Sequence, residues 1–155
     1  MKTLAVMLVA IGAAGCATGK MLESPVKPRR ITLQVEIDTK GAPIGAYQLV
    51  ILTDPAEARI VGIEAPRQSD FIGQPHFLPW TFKEGATRVT GYSPNQPPPK
   101  GPCRLLSVVF EQLGGKRSPL AVKVERLYDT STPPREIRQY VLRQSHEVLD
   151  FGTPD

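Results

Sequence analysis

Residues 31–38 read ITLQVEID. Ile31, Leu33, Val35 and Ile37 are apolar, and Thr32, Gln34, Glu36 and Asp38 between them are polar. In a strand, successive side chains point to opposite faces, so four such alternations predict a strand with one face buried and one in water. The next apolar stretch, Ile44 to Leu52 (IGAYQLVIL), is almost continuous and rich in β-branched and aromatic residues, as a central strand would be. Thr39-Lys40-Gly41 separates the two as a turn. Asp54-Pro55 ends the second, because proline has no N–H to donate and aspartate caps turns. Ala56-Glu57-Ala58 fits one helical turn, after which Ile60 to Ile63 resumes as strand.

The pattern continues toward the C-terminus. Thr87 to Tyr92, Arg104 to Gln112 (RLLSVVFEQ) and Pro119 to Tyr128 (PLAVKVERLY) are predicted strands, and Glu136 to Leu142 is a last one. Gly114-Gly115 suits a hairpin turn. Ser93 to Pro102 holds five prolines in ten residues and is expected to be a stiff loop outside any ladder. Residues 65–85 are irregular, with Phe71, Phe77, Trp80 and Phe82 among prolines and glycines, and no segment has a helical period. Sixteen prolines and thirteen glycines argue against a helical bundle. Eight or nine short strands without strand–helix alternation predict an all-β fold, a single antiparallel β-sandwich of jelly-roll or immunoglobulin-like kind, spanning residues 31–142. Residues 143–155 carry no pattern and are expected to be a tail.

The other end of the chain is organised differently. Met1-Lys2 is a basic start, Leu4 to Ile11 (LAVMLVAI) is apolar, and Gly12-Ala13-Ala14-Gly15 supplies small residues before Cys16. Basic, apolar, then small is the order of a secretory signal. A spanning helix needs about 20 apolar residues, and this segment is too short. A cysteine directly after Ala-Ala-Gly resembles the lipobox of bacterial lipoproteins. That resemblance implies removal of residues 1–15, lipidation of Cys16, and anchoring in the cell envelope. Ala17, in place of aspartate, implies the outer membrane over the inner one in cells that have two. Residues 16–30 would then be the lipidated cysteine and a flexible tether.

Removing residues 1–15 from a chain of 155 residues leaves the size of one domain. The chain is 41% hydrophobic and 22% charged, enough for a core and unlike a disordered polypeptide. Its net charge of +4 drops by one once Lys2 is gone. Basic and acidic residues are interleaved, so there is no concentrated basic face of the kind nucleic acids require. With Cys16 lipidated, Cys103 is the one remaining thiol, which is either buried and inert, the default expectation, or a site of intermolecular pairing.

Three stretches carry a second resemblance: residues 33–64, the pair Arg88–Tyr92 and Arg104–Phe110, and Leu120–Tyr128 with the strand from Ile137. Their order is similar to that of cohesin domains and their relatives among the carbohydrate-binding-module sandwiches. It implies a non-catalytic module that binds a protein partner.

The residues offer little for catalysis. His76 and His146 are the only histidines, and His146, Glu147 and Asp150 fit a solvated tail better than a metal site. No phosphate loop or nucleophile elbow occurs, so no enzyme activity, cofactor or metal is expected. Asp38, Asp54 and Asp129 sit at turns, where such acids usually cap backbone. Binding is the remaining role. Trp80, Tyr92 and Arg88 are candidate anchors for an envelope protein, because these residue types dominate interface energetics. The alternative is a polysaccharide stacked on Trp80 and Tyr92 with Phe77 and Phe82, although Phe77 and Phe82 suit the core better.

Overall fold

The computed structural model describes residues 28–65, 74–92, 101–114 and 119–148. Cys16, the signal segment, residues 93–100 of the proline loop, the 115–118 turn and the end of the tail lie outside the described residues. Among the described residues there are eight strands: β1 Arg29–Asp38, β2 Ala46–Thr53, β3 Ala58–Glu64, β4 His76–Phe77, β5 Ala86–Tyr92, β6 Cys103–Gln112, β7 Leu120–Tyr128 and β8 Val141–Val148. They form two four-stranded antiparallel sheets, ordered β3-β6-β1-β8 and β4-β5-β2-β7. Except between β4 and β5, every connection changes sheet, so each strand's apolar face meets strands far away in sequence. The result is a β-sandwich.

The alternation in β1 is realised directly. Ile31, Leu33, Val35 and Ile37 are buried, and burying each such side chain stabilises by about 1.5–3 kcal/mol. They pack against Leu49 and Ile51 of β2, Val89 of β5, Val108 and Phe110 of β6, and Val122 and Leu127 of β7 in one core. Cys103 is buried there too, at the start of β6 and opposite Ile37.

Three strands depart from strict alternation at β-bulges, where one extra residue puts two neighbours on the same side. In β6, Val35 faces Leu106 and Glu36 faces Arg104, so adjacent Leu105 and Leu106 are both buried. In β3 the slip between Ile60 and Gly62 pushes Val61 into solvent. In β7, Leu49 faces Val124 and Gln48 faces Arg126, leaving Glu125 as the extra residue.

Tyr47 points inward from β2 and lies over Gly91, its directly opposite partner on β5. Its hydroxyl donates a long hydrogen bond of 3.5 Å to the Leu105 carbonyl. Burial pushes its ionisation well above the ordinary tyrosine range, because the charged form would lose its hydration.

The C-terminal region differs from the sequence expectation. The last strand is Val141–Val148 rather than 136–142, and it pairs along β1 from Ile31↔Val148 to Asp38↔Val141. Residues 143–148 are therefore strand, not tail. Glu136 forms an isolated bridge with Tyr128, and the Ile137 N–H bonds the Leu127 carbonyl at 2.7 Å, so the crossover to β8 covers the end of β7.

Candidate functional site

The outer face of the β4-β5-β2-β7 sheet holds an open groove of about 940 Å³. Its floor follows from strand periodicity. On β5, Thr87, Val89 and Gly91 turn inward while Ala86, Arg88, Thr90 and Tyr92 face out. Val50 of β2 lies between Arg88 and Lys123 in register.

Strands β5 and β7 both flank β2, so they are about 10 Å apart, a gap a long side chain can bridge. Arg88 does so, crossing above Val50 to the bulged Glu125. Its Nε donates to Oε2 at 2.8 Å and Nη2 to Oε1 at 3.0 Å. Such a two-pronged, charge-assisted pair is stronger than a neutral hydrogen bond. Gln48 Nε2 donates to the same Oε2. Held by Arg88 first and Gln48 second, the Glu125 carboxyl is lowered to about 2. The floor is thus charged but internally neutralised.

The wall is built by residues 75–84. β4 pairs with β5 through His76↔Thr90 and Phe77↔Val89. Pro79 then opens a 3-10 helix, Pro79–Lys83, in which a missing N–H at the first turn costs nothing. The helix is tied down by Thr81, whose N–H and hydroxyl both donate to the Leu78 carbonyl, at 3.0 and 2.6 Å. Phe77 and Phe82 stack at 5.5 Å and pack on the core, half-buried. Because these two rings turn inward, Leu78 and Trp80 are left outside, at 50% and 64% exposure. Val50, Pro75, Phe77, Leu78, Pro79 and Ala86 give the groove its apolar surface.

The three anchors expected from sequence fall in related but separate places. Arg88 is in the groove floor. Tyr92 is exposed on the same face of β5, four residues along the strand. At the rise of an extended chain that separation is about 13 Å. The Tyr92 ring lies parallel to that of His76, 6.0 Å between centroids, and His76 lines the groove. Trp80 stands on the wall and is not part of the lining. Phe77 and Phe82 do not join Trp80 and Tyr92 in one exposed strip. Glu125, Leu78 and Val50 were missed by sequence reading. An acid 37 residues from its arginine, reaching it only through a bulge, leaves no local signal.

The turn acids act on backbone. Asp38 accepts from the Lys40 N–H at 2.9 Å, Asp54 from Ala56 at 3.1 Å, and Asp129 from Ser131 and Arg135 at 3.0 and 2.8 Å. Among the described residues no three His, Cys, Asp or Glu side chains gather as metal ligands do.

Fold and groove together define a β-sandwich with a mixed apolar and ion-paired surface on one sheet. No family model matches the chain, and no curated protein or solved structure matches it.

Proposed function

We propose that this chain is a non-catalytic, lipid-anchored envelope protein. In this reading Cys16 carries the lipid, residues 17–28 form the tether, shorter than the expected 16–30 because Arg29 and Arg30 already pair in β1, and the sandwich holds a protein partner in the cell envelope at its groove. The observation that carries the reading is an apolar groove floored by Arg88 and lined by exposed Leu78, with Trp80 exposed on its wall and Tyr92 exposed farther along β5. Large side chains carried on a rigid backbone frame need no ordering of that backbone when a partner covers them. An extended apolar peptide suits the groove because Arg88 and Glu125 already satisfy each other and demand no charge from the ligand. The likeness to cohesin domains points the same way. The outer membrane is the expected location in cells with two membranes.

One observation favours the alternative, a polysaccharide ligand. Trp80 and the parallel His76–Tyr92 pair are open to solvent, as sugar-stacking rings must be.

The two readings separate in one experiment. A photo-crosslinking residue placed in cells at Leu78 or Trp80 should give a discrete protein adduct. The same residue at Val61, exposed on β3, should give none. Equal adducts at all three positions, or polysaccharide retention lost in Trp80→Ala with the fold intact, would overturn the protein reading. Membrane association that survives Cys16→Ser would overturn the anchor.

A further inference from the structure

β8 is the edge of its sheet, and among the described residues its one neighbouring strand is β1. Arg143, Gln144, Ser145, His146 and Glu147 are all exposed. An edge strand offers unpaired N–H and C=O groups to any strand that can lie beside it. The chemistry of this strand specifies which. Within it, residues 142–148 (LRQSHEV) read alike by residue class from either end: apolar residues outermost, then Arg143 and Glu147, then Gln144 and His146, with Ser145 at the centre.

We infer that β8 is a homodimerisation edge, pairing antiparallel with β8 of a second copy about a two-fold axis through Ser145. In that register Arg143 faces the partner's Glu147, Gln144 faces the partner's His146, and each contact occurs twice, as an isologous interface requires. Opposite charges directly across an antiparallel pair attract, and like charges there repel. Shifting the register by two residues sets Arg143 opposite Ser145 or position 149, so both charge pairs are lost. Residues that meet have the same parity, so those aiming backbone groups outward meet one another. The Arg143 guanidinium already lies 3.4 Å from Glu36 on β1. Dimerisation would give it a second acid, the partner's Glu147. The result resembles the triplet on the same face, where Glu111 is shared by Arg30 at 3.2 Å and by Arg59. The product is one continuous eight-stranded sheet, β3-β6-β1-β8-β8-β1-β6-β3.

The test is sedimentation of the full chain in mild detergent and reducing buffer. The unaltered chain should sediment at twice its own mass. Arg143→Glu and Glu147→Arg should each sediment at the single mass, because each sets like charges opposite one another. Mixed one to one they should return to twice the mass, since every charged position then meets its opposite. A single-mass unaltered chain, a dimer indifferent to either reversal, or a mixture that stays at single mass would each overturn the inference. As a readout independent of those reversals, Ser145→Cys in a Cys16→Ser chain should crosslink to dimer under mild oxidation, while Val61→Cys should not. Equal crosslinking at both positions, or none at Ser145→Cys, would overturn it as well.

Discussion

Gly91→Ala probes whether the space above β5 is reserved for the Tyr47 ring. A Cβ added at Gly91 would lie no more than 2.5 Å from Cζ, Cε1 and Oη of Tyr47. Ordinary carbon contacts need about 3.5–4.0 Å, so the ring must move by about 1 Å or more. Tyr47 is only 4% exposed and sits among buried neighbours that would have to shift with it. Overpacking of this kind costs about 1–3 kcal/mol. Replacing a glycine also stiffens the unfolded chain, which returns about 0.4–1 kcal/mol. The net expectation is a loss of about 1–2 kcal/mol in urea unfolding followed by far-ultraviolet circular dichroism. Trp80 fluorescence is a poor substitute, because that side chain is exposed in the folded state. The decisive arm is Tyr47→Leu, which removes the ring at a cost of about 2–4 kcal/mol by analogy with other buried truncations. In that background Gly91→Ala should be neutral or slightly stabilising, giving a coupling of about 1–3 kcal/mol between the two positions. Additive effects of the two substitutions would refute the steric argument.

Two further outcomes follow from the core and the groove floor. Phe110 is fully buried on β6. Phe110→Ala should therefore cost about 3–5 kcal/mol in the same unfolding assay, and a loss below about 1 kcal/mol would place Phe110 outside the packed core. The Glu125 carboxyl titrates near 2 when folded, below its ordinary 4.5. A depressed acid stabilises above its unfolded pKa, and that contribution is lost as the pH falls through the folded value. Melting temperature against pH should therefore fall less steeply between about 4.5 and 2 in Glu125→Gln than in the unaltered chain. Parallel curves would mean that the Arg88 pair is not formed.

What the sequence discloses depends on whether a residue's environment is set locally. β1 is legible because each of its residues faces either the core or water, so ITLQVEID writes the sandwich into its own order. β6 is less so: Leu105 and Leu106 are adjacent and both buried, and only the bulge opposite Val35 and Glu36 makes that possible. β8 is illegible for the converse reason. Residues Arg143 to Glu147 are solvated on both faces of an edge strand, so no burial contrast marks the period, and RQSHE passes for tail. The groove shows the same division. Exposure of Trp80 follows from Phe77 and Phe82 turning inward, a choice the composition of 65–85 does not make. The Arg88–Glu125 pair needs β2 between two strands and a bulge beyond it, both products of tertiary structure.

The two proposals constrain each other geometrically. Antiparallel pairing with matching faces requires the two-fold axis to stand perpendicular to the sheet. β1 and its copy then run in opposite directions, so the proposed tethers would leave from opposite ends of the joined sheet. Fully extended, residues 17–28 of each tether reach about 40 Å. Two equivalent anchors can enter one flat membrane with equal ease only if the two-fold axis lies along the membrane normal, which lays the sheet parallel to the lipid. The groove is on the outer face of the other sheet, and β8 takes no part in it. With the ion-paired face of β3-β6-β1-β8 toward the membrane, both grooves open away from it. A dimer therefore presents two copies of the binding face to the same compartment, and a partner with two peptide segments would gain avidity from it. Arg143→Glu should then weaken binding of a bivalent partner while leaving a single-segment ligand bound as before.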